Sequence, residues 1–223
     1  MRQYLTRDTL VLAAGFFLGA YHLLIVSGFL SISTMPMRLT HVMLAFSLLF
    51  VIRPASKRHP NARWNDILTL VLIVLTVAAS AWMLTRWKPI AFSGGLTEPG
   101  DFWAGAVLIE LVFEAARRGV GLILAIITLI FFSYPFLSPY LPGVLNGRGY
   151  SFERIVLFLT TDTQGVYGIP VGVAATYIIV FTIFGAMLSR FGAGAFFFEI
   201  STRLTRGLRA ASAKSAVLFS TLI

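Results

Sequence analysis

The stretch FTIFGAMLSRFGAGAFFFEISTRLTRGLRAASAK, residues 181–214, joins an apolar run to a segment in which basic residues recur among apolar ones. Its first part completes a run long enough to cross a bilayer, because a hydrocarbon core about 30 Å thick requires roughly 20 helical residues. Its second part, residues 195–206, is predicted to form an amphipathic helix at the cytoplasmic membrane surface. The apolar side would consist of Phe196, Phe197, Ile200 and Leu204, and the basic side of Arg203 and Arg206.

The composition of the whole chain is that of an integral membrane protein. Hydrophobic residues make up 57% of the sequence and charged residues 12%, whereas a soluble domain carries about 25% charge. The net charge of +9 does not predict nucleic-acid binding, because the basic residues fall between apolar runs and form no stripe beside stacking aromatics. The absence of cysteine excludes thiolate catalysis and Cys-ligated metals. His22 and His41 have no further ligand at metal spacing, so we expect them to be packing residues.

Apolar runs predict an all-α polytopic membrane protein with about six spans. A shorter run at residues 155–161 cannot cross the bilayer alone, so it is predicted to be a membrane-embedded half-helix or an interfacial piece. The first run follows Arg2 and Arg7 and could mark a signal peptide, but it continues to Leu30 and is longer than a cleaved apolar region, which favours a retained anchor. The predicted spans are residues 9–30, 39–52, 67–84, 102–116, 120–137 and 166–188.

The basic residues predict the orientation, because cytoplasmic loops collect Lys and Arg. With the N-terminus inside, thirteen of the eighteen basic residues face the cytoplasm. These are Arg2, Arg7, Arg53, Lys57, Arg58, Arg63, Arg117, Arg118, Arg190, Arg203, Arg206, Arg209 and Lys214, whereas Arg38, Arg86, Lys88, Arg148 and Arg154 fall outside.

Charged residues within the fourth predicted span form a candidate site. The residues Glu110, Glu114, Arg117 and Gly121 share one helical stripe, with Arg118 beside it. Two acids and two bases can pair, which matters because an isolated charge at mid-membrane costs about 2.5 to 3.5 kcal/mol. The stripe could be a proton relay or a substrate clamp. The structural alternative is an ion-pair lock near the cytoplasmic interface, which we favour because the two arginines end the span where positive charge belongs.

Between the fifth and sixth spans the helical pattern is interrupted twice. Three prolines in SYPFLSPYLPG, at positions 135, 139 and 142, prevent a continuous helix. A second interruption lies in TTDTQGVYGIPVGV and has two interpretations. It could be a break at membrane depth of the kind that transporters use to aim backbone groups at ligands, or it could be a periplasmic loop between ordinary spans. Its interrupting residues include Gln164, Gly165, Gly168, Pro170 and Gly172.

In these segments the chain resembles a known family. The motifs EAARRGVG, the proline cluster at residues 134–143, GYSFER, GVYGIPVGV, FGAMLSRFGAGAFF and SAKSAV occur in this order, and the ordered set is similar to fused permeases of TRAP transporters. These are binding-protein-dependent secondary transporters in which a four-helix small subunit is joined to a twelve-helix large subunit, often with a binding protein of the TAXI class. The similarity covers residues 110–223 well and the preceding residues only by span count and charge.

The resemblance implies a function and a division of the chain. Residues 1–116 would correspond to the small subunit and residues 117–223 to the start of the large one, in a bacterial inner membrane with the N-terminus in the cytoplasm. The permease would carry sodium and a small organic acid, often a dicarboxylate, delivered by a periplasmic binding protein. The hairpin tips that hold ion and substrate would lie mostly beyond residue 223, with Lys214, Ser220 and Thr221 at the approach to the first hairpin. The apolar run in which the chain ends likewise predicts a longer reading frame.

Two departures from the family pattern affect these expectations. Gln164 stands where an acidic residue is expected, so an ionic role there is in doubt, and Ala210, Ala211 and Ser212 replace a Gly-Gly-Pro turn, which predicts a less sharp bend. No P-loop occurs, so nucleotide hydrolysis is not predicted. The competing function is a structural or assembly membrane protein without transport activity. An intramembrane enzyme lacks any nucleophile and base pattern, and no cofactor is expected beyond the coupling ion.

Overall fold

The computed structural model describes residues 2–56 and 62–222. It is 80% helical and has no strands in the described residues, which confirms the all-α prediction. Lys57 and Arg58, two of the residues assigned to the cytoplasmic side, lie outside the described residues. The helices are α1 Arg2–Val26, α2 Thr34–Ile52, α3 Arg63–Phe92, α4 Pro99–Gly119, α5 Leu122–Leu137, α6 Phe152–Thr161, α7 Ile169–Val173, α8 Ile179–Arg190, α9 Ala193–Thr205 and α10 Ala211–Leu222.

Five helical segments in the described part of the chain are long and apolar enough to cross a membrane, which identifies a membrane-embedded protein. The segment Ile169–Arg190 unites α7, a π-helical stretch Ala174–Ile178 and α8. A sixth crossing by α4 stays a prediction, because α4 is long enough but carries Asp101, Glu110, Glu114, Arg117 and Arg118. The other four segments are Asp8–Val26, Thr34–Ile52, Arg63–Phe92 and Leu122–Tyr140.

Two compact units divide the chain, Met1–Thr176 and Tyr177–Ile223. The first unit has a core where α2, α3 and α4 meet, and its fully buried members include Leu39, Phe50 and Leu108. Because lipid is as apolar as these side chains, such a core is held in a bilayer by close packing rather than by release from water. The division at residue 116, drawn from the family resemblance, stays a prediction.

The short helix α6 packs against α4. Phe152, at its start, contacts Phe102 with ring centroids 6.0 Å apart, and Thr160, near its end, touches Gly105, where a Cβ atom would lie 2.5 Å from the threonine hydroxyl. The two contacts are eight residues apart on α6 and three residues apart on α4. Such a helix positions the segment that follows it without crossing the bilayer.

Glycines with positive φ end two of the long helices. Gly121 has φ 139° and separates α4 from α5, and Gly192 has φ 82° and separates α8 from α9. Residues with a Cβ atom rarely adopt these values. Gly121 therefore does not continue the charged stripe of α4.

The second unit contains a helical hairpin formed by α9 and α10. Ser201 and Thr205 form the buried side of α9, and Phe198 contacts Phe219 of α10 with ring centroids 5.7 Å apart. On the predicted apolar side, Phe196 and Leu204 are exposed, so the hairpin partner, rather than that apolar side alone, determines the packing of α9.

The turn between α9 and α10 contains two residues with positive φ. Gly207 has φ 85° and Ala210 has φ 57°. A positive φ costs alanine more than glycine, because the Cβ atom crowds the following carbonyl oxygen. An alanine thus adopts the left-handed conformation in this turn, and the expectation of a less sharp bend stays a prediction.

The helix α3 yields the first testable prediction. Its 30 residues extend about 45 Å, so the loops at its two ends must lie on opposite sides of the membrane. Asp66 and Thr97 are exposed at these two ends. In this cysteine-free chain, an impermeant thiol reagent added to intact cells should label Thr97→Cys and not Asp66→Cys.

Permeabilised cells supply the control for this labelling, because both cysteines should then react. Labelling of Asp66→Cys alone in intact cells would show that the orientation is the reverse of the predicted one. Labelling of both would contradict a crossing by α3.

Candidate functional site

The interruption between α6 and α7 is a compact, hydrogen-bonded turn. The Asp162 Oδ1 accepts a hydrogen bond from the Gln164 backbone N–H at 2.9 Å, and the Val166 N–H donates to the Leu159 carbonyl at 2.7 Å. A Cβ atom at Gly165 would overlap the Leu159 backbone, so the chain can fold back here only with glycine. We call residues 162–172 the broken segment.

Arg38 of α2 holds the broken segment from the side. Its Nη1 donates to the Tyr167 carbonyl oxygen at 2.8 Å, across a separation of 129 residues. Gly172 permits this approach, because a Cβ atom there would lie 2.8 Å from both Nε and Nη2 of the guanidinium. The arginine thus supplies a donor to a carbonyl that the break removes from the helical ladder.

The predicted break residues take different positions around this contact. Gly168 and Gly172 are buried, Gly165 is half-buried, and Gln164 and Pro170 are exposed. Arg38 was predicted only to lie on the outer side of the membrane, and its contact with the Tyr167 carbonyl was not predicted. The available signal was a single arginine close to the start of an otherwise apolar run.

The guanidinium of Arg38 retains unused binding capacity. Its Nε is buried and has no hydrogen-bond partner in the described part of the chain, and the same is true of the Tyr167 hydroxyl. Arg38 forms no ion pair within residues 2–56 and 62–222. Charges in membrane helices pair with each other, with carbonyls or with ligands, and a guanidinium fork matches a carboxylate. The Nε of Arg38 is therefore a charged donor that remains without a partner after the Tyr167 contact is made.

The charged residues of α4 form a tight cluster around Glu114. Its carboxylate accepts from Arg117 Nε at 2.7 Å and from Arg118 Nε at 2.6 Å. Arg118 also donates to the Arg53 carbonyl at 3.1 Å, and its guanidinium lies 5.2 Å from the Phe50 ring centroid. Cations favourably satisfy the carbonyl groups at the C-terminus of a helix, so the cluster fastens α4 to the end of α2.

Glu110 does not join this cluster. It is exposed and forms no ion pair within the described ranges. The predicted four-residue stripe is thus a three-residue cluster in the structure. Its contacts with backbone carbonyls support the structural interpretation over a proton relay.

A second cluster, which the sequence reasoning missed, fastens the opposite end of α4. Asp101 is fully buried and accepts from Arg86 Nε at 2.9 Å, from Arg86 Nη2 at 3.0 Å and from Trp82 Nε1 at 2.9 Å. Glu98 adds an ion pair to Arg86 at 2.9 Å, and its backbone N–H donates to Asp101 in a capping box. The spacing Glu98-Pro-Gly-Asp101 was the available signal.

The two membrane histidines form a pair. His22 Nδ1 lies 2.8 Å from the Leu18 carbonyl oxygen, so this nitrogen carries the ring proton and donates it to the carbonyl. The other ring nitrogen, His22 Nε2, lies 2.9 Å from His41 Nδ1 and accepts a hydrogen bond from it. Their packing role was predicted, but their mutual contact was not. The contact between the two histidines joins α1 to α2, and a 2.7 Å hydrogen bond between Tyr21 and Thr40 joins the same two helices.

The residues predicted near the first family hairpin lie on α10 in the second unit. Lys214, Ser220 and Thr221 are all exposed, and the Thr221 hydroxyl donates to the Leu218 carbonyl at 2.8 Å. No group of three or more His, Cys, Asp or Glu side chains that could hold a metal occurs within the described residues. The binding of a coupling ion therefore stays a prediction from the resemblance.

Comparison with known proteins returned no matching family model, no matching curated protein and no matching solved structure. The functional argument therefore rests on the residues and their geometry.

The Glu114 cluster yields a prediction on stability. The substitution Glu114→Gln leaves the buried Arg118 side chain, 0% exposed, without its carboxylate, and breaking one side of a buried pair costs about 3 kcal/mol or more. The control is Glu199→Gln, which removes an exposed pair with Arg203 on α9 and should cost about 0 to 1 kcal/mol. The melting temperature in detergent measures both. Equal melting temperatures for the two variants would contradict a structural lock.

The Arg38 contact yields a second prediction. The substitution Gly172→Ala should displace the guanidinium from the Tyr167 carbonyl, and a hydrogen bond to a charged group is worth about 1.5 to 3 kcal/mol. Gly185→Ala is the matched control in α8, because no atom lies within 4 Å of the added Cβ and alanine favours a helix by about 1 kcal/mol over glycine. We expect Gly172→Ala to lower the melting temperature and Gly185→Ala to maintain or raise it.

A double-variant cycle tests the specificity of this effect. Arg38→Met should destabilise the chain, and Gly172→Ala should add little to Arg38→Met, since both remove the same contact. Full additivity of the two substitutions would show that Gly172 acts independently of Arg38.

Proposed function

We propose that this chain is a membrane permease component of a binding-protein-dependent TRAP-type transporter, which moves small organic acids on an ion gradient. The ordered motifs of residues 110–217 support the family, and the five apolar helices support a polytopic permease. C4-dicarboxylates are the expected substrates and sodium is the expected coupling ion, both from the resemblance.

The observation that carries the proposal is the contact between Arg38 and the broken segment. Secondary transporters use discontinuous helices to present backbone groups to substrates and ions. Here a helix break coincides with a guanidinium that has a buried, unpartnered Nε and no carboxylate partner in the described residues. An organic acid brings the carboxylate that this charge lacks.

In the proposed permease, the first unit is a scaffold. The clusters around Asp101 and Glu114 fasten α4 at both of its ends. A bundle clamped in this way resists rearrangement, so movement of the substrate would fall to other parts of the permease. From the resemblance, the hairpin tips that hold ion and substrate are expected to lie mostly beyond residue 223, and Arg38 would meet the substrate from the side of the scaffold.

The proposed orientation places the N-terminus in the cytoplasm of a bacterium and the loop between α3 and α4 in the periplasm. A TAXI-type binding protein would then dock at the periplasmic side. The division of basic residues supports this orientation.

A structural or assembly protein without transport activity is the second candidate. The specific observation that favours it is the same pair of clusters, because they bury arginine and aspartate side chains in purely structural contacts. The two candidates differ in whether substitution of Arg38 changes transport.

Reconstitution tests the proposal. Proteoliposomes would contain the complete permease, and uptake of labelled C4-dicarboxylate would be measured with a sodium gradient and the binding protein. We expect uptake to require both. Arg38→Met should reduce uptake per folded permease about tenfold or more, because a charged hydrogen bond contributes about 1.5 to 3 kcal/mol.

Arg148→Met is the matched control for Arg38→Met, since Arg148 is an exposed arginine in the linker between α5 and α6. It should leave uptake unchanged. The 223 residues alone should show no uptake. Unchanged uptake in Arg38→Met would favour the structural candidate for this chain, and uptake without the binding protein would contradict a TRAP-type mechanism.

A further inference from the structure

Two adjoining cavities lie in the first unit, beside α6. The larger has a volume of about 660 Å³ and the smaller about 360 Å³, and Arg154 and Phe158 line both. These volumes fall within the range of about 300 to 1,000 Å³ typical of small-molecule sites. The two cavities differ in chemistry, and the proposed ligand follows from that difference.

The larger cavity is an apolar groove between α4, α5 and α6. Ile109, Phe131 and Phe132 are among its lining residues, and Thr128 and Pro135 mark its extent along α5. Seven residues of helix separate these two positions, which corresponds to about 10 Å. The groove therefore runs along the helices from the bundle end toward the interior, as a lipid acyl chain does.

The smaller cavity is polar and lies at the end of the bundle. Thr97 of the loop between α3 and α4 lines it, together with Ser151 at the start of α6. Two carboxylates, those of Glu153 and Asp162, also line it. Loops at a bundle end lie at the level of lipid headgroups, so this cavity adjoins the polar region of the bilayer.

Arg154 stands where the two cavities meet. Its guanidinium lies 5.6 Å from the Tyr150 ring centroid, which orients it by a cation–π contact. It forms no ion pair in the described part of the chain, and neither do Glu153 and Asp162. Asp162 Oδ1 accepts from the Gln164 N–H, so its Oδ2, the Glu153 carboxylate and the Arg154 guanidinium are left for a ligand next to the apolar groove.

We propose that the paired cavities bind one molecule of phosphatidylethanolamine. The phosphate accepts hydrogen bonds from Arg154, the ammonium group donates to Glu153 and Asp162, and one acyl chain occupies the apolar groove. Charge complementarity selects this headgroup, since a zwitterion matches a site that contains both signs. Basic pockets between membrane helices are known to bind lipid headgroups.

The headgroup chemistry separates this lipid from its relatives. Phosphatidylcholine has a quaternary ammonium that cannot donate a hydrogen bond, and phosphatidylglycerol brings no cation to Glu153 and Asp162. Diacylglycerol fills the groove but has no phosphate for Arg154. The proposal therefore predicts an order of affinity, with phosphatidylethanolamine ahead of all three.

Native mass spectrometry of the purified 223-residue chain, titrated with each of the four lipids, tests the site. We expect Arg154→Gln to weaken phosphatidylethanolamine binding about tenfold or more, since it removes a charge-assisted hydrogen bond. Arg148→Gln is the control, because Arg148 is an exposed arginine in the linker that precedes α6, and its side chain lines neither cavity. It should change binding less than twofold.

Two further substitutions test the other parts of the ligand. Thr128→Trp should fill the groove and reduce binding by a similar factor, whereas Leu129→Trp, at an exposed position that does not line the groove, should not. The double substitution Glu153→Gln and Asp162→Asn should abolish the preference for phosphatidylethanolamine over phosphatidylcholine. That loss of preference distinguishes headgroup recognition from general retention of lipid.

Three results would overturn the proposal. The first is equal lipid binding by Arg154→Gln and Arg148→Gln. The second is equal affinity for phosphatidylethanolamine and diacylglycerol. The third is a cross-link from Thr128→Cys to another polypeptide segment in the complete permease, since it would identify protein, not lipid, as the occupant of the groove.

Discussion

A polar group that is buried away from water must find its hydrogen-bond partner within the protein, and this constraint explains the long-range side-chain contacts described above. The carbonyl released by the broken segment accepts a hydrogen bond from Arg38, and a carbonyl at the end of α2 accepts from Arg118. The buried carboxylate of Asp101 accepts from arginine and tryptophan side chains. In each case an arginine provides the donor, because its guanidinium spreads several N–H groups over one plane.

These contacts give α4 a central position. One of its ends is fastened through Asp101 to α3, and the other through Glu114 and Arg118 to α2. Between the two ends of α4, Gly105 has no side chain, so α6 can pack closely against the helix there. The broken segment is thereby attached to a rigid frame on both sides, through α6 and through Arg38. A frame of this kind suits the stationary part of a transporter, whereas the moving part requires weaker contacts.

The sequence predicted the features that depend on neighbouring residues. Runs of apolar side chains located the five membrane helices, and the spacing of Glu114, Arg117 and Arg118 located their cluster, since helical neighbours meet at fixed intervals. The contact of Arg38 with Tyr167 joins residues 129 positions apart, and no local pattern encodes such a pairing. Ala210 shows a further limit, because a left-handed turn formed without the glycine that a sequence pattern would demand.

Hydrogen–deuterium exchange of residues 165–172 tests most directly whether Arg38 maintains the broken segment. The amides of Val166, Gly168 and Gly172 donate hydrogen bonds within this region, so they should exchange slowly in the unmodified protein. In Arg38→Met we expect fast exchange at these amides and unchanged protection elsewhere in the first unit. Fast exchange in the unmodified protein, or equal protection in both, would contradict the account.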